Sequence, residues 1–213
     1  MVAHAQDPAA EVWMGVSVPV FFGKNGSWQW HNDAGYRTNG MSVLPHQYLF
    51  RSGVRKFFNS KWNAAVGGAL FFTRATYNKE DEFGQEDRLW QEVVNITKIA
   101  EKSSLHTRFR MEERFFKAVE GNAAYDAMRF RLRTAFVQTL NKHWQLQLAE
   151  EYMQQLANHN FRFNTNRVAA AVIRSWEGQS QLQITYILQT RKNSEQSIIA
   201  LSFQKSIGSN GNN

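Results

Sequence analysis

Between Leu105 and Leu140 the chain reads LHTRFRMEERFFKAVEGNAAYDAMRFRLRTAFVQTL, and polar and apolar residues change places at nearly every step. His106, Arg108, Arg110, Glu112 and Arg114 share one side of this alternation, and Thr107, Phe109, Met111 and Phe115 share the other. After a break at Glu120-Gly121-Asn122 the pattern resumes, with Arg129, Arg131 and Arg133 opposite Met128, Phe130, Leu132 and Phe136. Successive side chains point to opposite faces only on a strand. The segment therefore predicts a β-hairpin with one apolar and one charged face. On a helix the same residues would scatter around the axis and bury arginines.

The rest of the chain repeats this theme. Strands are expected over Val12 to Phe22, Trp28 to Arg37, Gln47 to Phe58, Trp62 to Arg74, Asp87 to Ala100, Trp144 to Met153, Thr165 to Trp176, Ser180 to Gln189 and Gln196 to Ser206. With the two strands of the hairpin this makes eleven segments. Pro19 lacks a ladder donor, so the first strand is expected to be irregular or to sit at an edge or bulge. The segments RLWQEVVNITKIA and QLQLAEEYMQQLA alternate less clearly, and a helix competes with a strand in both.

Connections after the odd-numbered segments are short, and most of those after the even-numbered ones are longer. The loop from Ala75 to Glu86 is the longest and most charged, and 157–164 reads as a polar loop. Trp28, Trp62, Trp144 and Trp176 all flank the short turns on the apolar face, and Phe21, Phe22, Phe57 and Phe58 crowd the same end. A ring of aromatics at one level is what a membrane interface selects. Apolar outside, charged inside, with short turns at one end and longer loops at the other, describes an antiparallel up-and-down transmembrane β-barrel of 10–12 strands. A soluble lipocalin-like barrel, with the apolar faces turned inward, suits this number of strands and the one-ended tryptophans poorly. One tension remains. Eleven is odd, whereas bacterial single-chain barrels normally have an even number of strands. Either one segment, such as that containing Pro19, stands outside the barrel, or a further strand is hidden.

Composition narrows the picture. The 213 residues contain no cysteine, so there is no disulfide framework and no thiolate metal site. No apolar run approaches the length of a membrane-spanning helix. Ala3-His4-Ala5 fits the small-x-small pattern of signal cleavage, with Gln6 as the first mature residue and Met1 supplied for initiation. Residues 1–10 therefore read as a signal-cleavage remnant and N-terminal extension, 11–207 as a single barrel domain and 208–213 as a disordered tail. The formal net charge is +7. The arginines alternate along strands instead of clustering on a helix or tail, so nucleic acid is not expected as a partner.

The charged faces collect Asp33, Arg51, Arg55, Arg88, Arg108, Arg110, Glu112, Arg114, Arg129, Arg131, Arg133, Glu151 and Arg167. If these point inward, few carboxylates stand among them and the lumen is expected to be net positive. A salt-bridged polar filling is one reading. The other is an anion-selective passage or binding site, because guanidinium forks match carboxylates and phosphates. No GxSxG, HExxH or glycine-rich phosphate loop is present. His31 and His106 lie on polar faces with nothing in the sequence to join them to a nucleophile. No catalytic residue, metal site or cofactor is expected. Glu113, on the apolar side of its strand, is expected near the rim, where the cost of a charge falls towards zero to about 1 kcal/mol.

RSGVRKF (51–57), RLWQ (88–91), RFRMEERF (108–115), RFRLR (129–133), EEYMQQL (150–156), FNTNRV (163–168) and ITYILQ (184–189) together resemble the domain of unknown function 2490 family. The resemblance implies an exported protein, common in Bacteroidetes and Gram-negative in origin, forming an outer-membrane β-barrel. It carries no catalytic residues to transfer. The expected role is structural or that of a narrow anion-selective pore, with outer-membrane lipid and lipopolysaccharide outside and small anions inside. A lipid- or lipopolysaccharide-modifying enzyme is an alternative. So is an accessory subunit that meets an unknown partner through Tyr77 to Glu86.

Overall fold

The computed structural model describes residues 10–41, 44–74, 82–119 and 123–208. The expectations for the signal remnant, the break at Glu120-Gly121-Asn122 and most of the tail lie outside them. Strands make up most of the described chain: β1 (Ala10–Ser17), β2 (Val20–Phe22), β3 (Trp28–Thr38), β4 (Pro45–Phe57), β5 (Trp62–Arg74), β6 (Phe83–Ala100), β7 (Ser103–Phe116), β8 (Tyr125–Thr139), β9 (Trp144–Ala157), β10 (Asn160–Trp176), β11 (Ser180–Arg191) and β12 (Ser194–Lys205). The described residues contain no α-helix, only a 3-10 turn at Lys24–Gly26. Both segments in which a helix competed, β6 and β9, are strands throughout.

Neighbours in sequence pair antiparallel from β2 to β12, and β1 then closes the sheet. The result is a closed barrel of eleven strands with one short extra strand. β1 and β2 are the two parts of the first expected strand, divided at Val18-Pro19. The ladder survives this division: the Val18 N–H reaches the Asn32 carbonyl at 2.8 Å, and the Pro19 carbonyl accepts from Ile207 N–H at 2.9 Å. The parity tension is resolved without losing or adding a strand. An odd number of alternating strands leaves the first and last pointing the same way. β1 accordingly pairs β12 in parallel, from Ala10↔Ser197 to Ser17↔Gln204.

The loop expectation needs correction at one end. The last two connections there are two-residue turns, Asn158-His159 and Lys192-Asn193, not longer loops. Asn158 and His159 have φ of 49° and 60°, the paired positive values that a tight hairpin turn requires. The expected polar loop 157–164 is therefore mostly strand, with a register shift between Phe163 and Thr165. That shift keeps Phe163 outside against Tyr152 while Thr165 turns inward.

Strand tilt can be read from the register. Following outward-facing partners from Trp62 leads through Asn95, Thr107, Thr134, Glu150, Val168, Leu188 and Ser197 to Ala10. The row begins at the short-turn end and finishes at the other. With strands about 4.8 Å apart and tilted by about 40°, each step climbs roughly 3 Å. On this scale the outward tryptophans Trp28, Trp30, Trp62, Trp144 and Trp176 fall within a narrow band at the short-turn end. The outer wall above them is apolar and exposed, including Phe50, Val66, Leu89, Phe109, Leu132, Leu148 and Ile184. From Trp62 to Phe72 this wall is about 25 Å tall, from about 3.3 Å per residue and the same tilt.

The inside holds one apolar sector. Leu49, Ala65, Ala69, Phe71 and Trp90 form a buried cluster on β4, β5 and β6. Trp90 is 2 % exposed and lies across Gly53 and Gly67. A Cβ on Gly53 would stand 2.5 Å from the indole, and one on Gly67 would stand 2.2 Å from the Ser52 carbonyl oxygen and 2.5 Å from the indole. Glycine is required here by close approach. Gly53→Ala and Gly67→Ala should each destabilise the refolded barrel by about 1–3 kcal/mol, the usual cost of overpacking. Gly68→Ala, whose Cβ would meet nothing closer than 3.7 Å, should change stability little. Urea unfolding followed by tryptophan fluorescence would check all three.

Candidate functional site

The inward faces of β3, β4 and β6 to β10 carry most of the buried charged residues of this barrel. Because each strand alternates strictly, one inward arginine fixes its neighbours two residues away. On β7 this places Arg108, Arg110, Glu112 and Arg114 in one column, and on β8 Arg129, Arg131 and Arg133. Their register aligns Arg108 with Arg133, Arg110 with Arg131, and Glu112 with Arg129. Directly opposed arginines repel unless carboxylates stand between them.

Four glutamates do so. Glu86 accepts from Arg88 Nε at 2.5 Å and Arg114 Nε at 2.5 Å. Glu92 accepts from Arg110 Nε at 2.8 Å and from Arg55. Glu112 accepts from Arg131 Nη1 at 2.7 Å and Arg129 Nε at 2.9 Å, and lies 3.5 Å from Arg88. Glu151 accepts from Arg108 Nη2 at 2.5 Å and Arg131 Nη2 at 2.8 Å, with Arg167 at 3.7 Å. Asp33 forms a separate pair, holding Arg51 through contacts of 2.8 and 3.0 Å with His31 2.8 Å away. Further bonds go to amides: Arg114 to Gln155 at 2.7 Å, Arg133 to Gln147 at 2.7 Å and Arg167 to Gln189 at 2.7 Å. Aromatic faces take others. Arg88 lies 3.5 Å above Phe71 and Arg110 5.0 Å above Trp90.

Asp33, Arg51, Arg55, Arg88, Arg108, Arg110, Glu112, Arg114, Arg129, Arg131, Arg133, Glu151 and Arg167 all lie on the interior surface; the glutamates join most of them, whereas Asp33–Arg51 stands as its own pair and Arg133 bonds an amide. Sequence reasoning missed Glu86, Glu92, Glu11 and Arg37. The sequence pattern puts Glu86 in the preceding loop, yet on β6 it is buried and points into the lumen, away from any external contact surface. Glu92 lies on β6, whose outward positions Gln85, Gln91, Asn95 and Thr97 are also polar and blur the alternation. Counting by twos from Arg88 would have found both glutamates. Arg37 faces inward from β3, over Trp13, and Glu11 accepts from Trp13 Nε1 at 2.8 Å.

The carboxylates are more numerous than expected but still fall short of the arginines. A cavity of about 390 Å³ remains beside β1, β3 and β4, bordered by Arg37, Arg51, Arg88, Arg108, Arg110, Arg129, Arg131 and Arg167, with only Asp33 and Glu112 as acids. Arg108 Nε is buried and has no hydrogen-bond acceptor.

Parts of a hydrolytic site are present but not joined. Ser104 Oγ lies 2.9 Å from His106 Nε2 without a carboxylate on the imidazole, and His31 has Asp33 without a hydroxyl. Among the described residues no group of three His, Asp or Glu side chains is placed to hold a metal. Glu113 points outward and accepts from Gln91 Nε2 at 3.4 Å.

Fold and interior together define a class: a closed, inside-out β-barrel with an apolar exterior and a cation-rich lumen. The chain belongs to the family described as protein of unknown function (DUF2490), which it matches over residues 10–198. No curated protein sequence matches it.

Removing one glutamate from this network strands several buried guanidiniums at once. Glu151→Gln should cost about 3–5 kcal/mol, the loss typical of a broken buried ion pair. Arg133→Gln, which gives up a hydrogen bond to an amide, should cost about 1 kcal/mol or less. Chemical unfolding of the two variants beside the parent would measure the difference.

Proposed function

We propose that this protein is an outer-membrane barrel whose lumen admits small anions and disfavours cations. The observation that carries this reading is the excess of arginine over carboxylate around the central cavity. Guanidinium charge cannot be lost at neutral pH, so the excess is permanent. A cation entering the lumen meets fixed repulsion, whereas a chloride, phosphate or carboxylate meets unfilled donors.

The membrane part of the reading rests on the outer wall. Its apolar height of about 25 Å matches the band that outer-membrane barrels present to lipid. Exposed tryptophans gather at one end of it, where a bilayer interface would lie. Among the described residues no helix is long and apolar enough to cross a membrane, but a barrel crosses with strands. The tight turns at the tryptophan end suit the periplasmic side, and the connections through residues 39–44, 75–82 and 117–124 suit the outside. Glu113 stands high on the wall, close to that outer rim.

The test is reversal potential across a planar bilayer under a potassium chloride gradient, with the heat-shifted gel band as proof of folding. Anion preference is expected. Arg133→Glu reverses a lumen charge without breaking a carboxylate pair, so it should reduce that preference while leaving the barrel folded. Cation preference in the parent, or selectivity unchanged by Arg133→Glu, would count against the reading.

A further inference from the structure

Most lumen arginines spend their donors on carboxylates, but two that border the cavity do not. Arg37 on β3 donates Nη1 to the Gln47 amide oxygen at 2.7 Å. Arg167 on β10 donates Nε to the Gln189 amide oxygen at 2.7 Å, and its nearest carboxylate oxygen, on Glu151, is 3.7 Å away. Glu151 is already occupied by Arg108 and Arg131. Glu11, the acid nearest Trp13, takes the indole N–H. A guanidinium has five N–H donors in a planar fork, so both arginines retain unused donors.

The two converge on one side chain. The guanidinium carbons of Arg37 and Arg167 stand 3.9 and 5.0 Å from the centre of the Trp13 ring, and so lie no more than about 9 Å apart. All three residues border the same cavity, as does Arg108, whose buried Nε has no hydrogen-bond acceptor and stands 3.9 Å from Glu92 Oε2. Two cations this close, neither hydrogen-bonded to a carboxylate, repel in a lumen of reduced dielectric. Within that upper bound one oxyanion can accept charge-assisted bonds of about 2.8 Å from both. A single-atom anion would leave one edge of each fork unused, whereas a phosphate group offers several oxygens and two charges.

We infer that the cavity beside Trp13 is a phosphate-group site, with Arg37 and Arg167 as the paired forks and Arg108 as the third donor. This rests on the anion reading of the lumen and adds a ligand chemistry to it. The cavity of about 390 Å³ exceeds the volume of one phosphate, so it has room for either free phosphate with water or a small phosphate monoester. Trp13 supplies a rigid wall on which the two arginines are held in place by cation–π contact before the ligand arrives.

The experiment uses the full refolded chain in detergent at neutral pH. Thermal unfolding and tryptophan fluorescence are followed against potassium phosphate, glycerol phosphate and potassium chloride at matched ionic strength. A saturable rise in the unfolding midpoint with either phosphate compound, absent with chloride, is expected. A response to both identifies a site open to the free ion, and a response to the ester alone identifies one that needs the organic part. In the double variant Arg37→Gln, Arg167→Gln the phosphate response should weaken at least tenfold, while stability in chloride is kept or raised because repulsion is relieved. Should that variant not fold, Arg37→Lys keeps the charge and loses the fork, and should still weaken the response. A parent protein that responds to phosphate no more than to chloride would overturn the site. If bilayer measurements then still showed anion preference, the anion reading would stand without it. Loss of both would remove both.

Discussion

A guanidinium cannot shed its charge to enter a barrel, so every arginine in this lumen must find compensation from its neighbours. That constraint orders the interior. Glu86, Glu92, Glu112 and Glu151 each hold arginines from two or more strands, tying β4 to β6, β6 to β7, and β7, β8 and β10 to β9. The glutamates stand where arginines of adjacent strands would otherwise face each other directly. Where no carboxylate is available, an amide or an aromatic face substitutes. The cavity persists on the side of β1 and β3, where arginines reach inward and acids are few. The site is therefore the remainder of an electrostatic problem that the rest of the lumen has solved.

Closure is the second constraint. Eleven alternating strands can close only through one parallel pair, whose hydrogen bonds are slanted and slightly weaker per residue. The seam between β1 and β12 meets this need over eight residue pairs. Pro19 lies just past the end of that pairing, fully buried, and the chain continues as β2 beside Ile207. A proline in a central ladder would cost a donor. Here its carbonyl serves Ile207 and its missing N–H falls where the first strand is already divided. Trp13, the inward aromatic of β1, is thus carried on the shortest wall strand and held by arginines from β3 and β10 that reach it from either side of the seam.

The barrel was legible because its signal is redundant. Over Arg108–Glu112, Met128–Arg133 and Leu182–Gln189 the two faces separate for several residues in a row, so these stretches declare their own phase, and the tryptophans mark one end independently of phase. Legibility failed where one face carries mixed chemistry. β6 has Gln91 and Asn95 outside and Trp90 inside, so the parity needed to place Glu86 and Glu92 had to come from Arg88 alone. The first five residues of β10 read as a loop in the sequence, because Asn160 and Asn164 look like turn residues. A register shift lets polar and aromatic residues share that strand. The division of the first strand, the parallel seam and the pairing of Arg37 and Arg167 over Trp13 depend on which distant strands meet, and no local pattern encodes that.

The outer wall shows the same chemistry with the sign of the environment reversed. Several of its polar groups occur in mutual contact. Trp30 Nε1 donates to Ser52 Oγ at 2.9 Å, which donates to Asn32 Oδ1 at 2.8 Å. Asn166 Nδ2 donates to Glu150 Oε1 at 3.1 Å, and Tyr186 OH lies 2.9 Å from Ser197 Oγ. In water such bonds would add little, because solvent offers an equal partner. Against hydrocarbon no partner exists, and an unpaired polar group costs several kcal/mol. Glu150 is the severest case, since the tilted register puts it near mid-height. A carboxylate there is tolerated better than a lysine or arginine would be, and Asn166 supplies it a donor from the neighbouring strand. The outer wall and the lumen thus follow one rule: a polar side chain away from water is placed beside another that can bond it, on the wall through single pairs and in the lumen through glutamates shared among arginines.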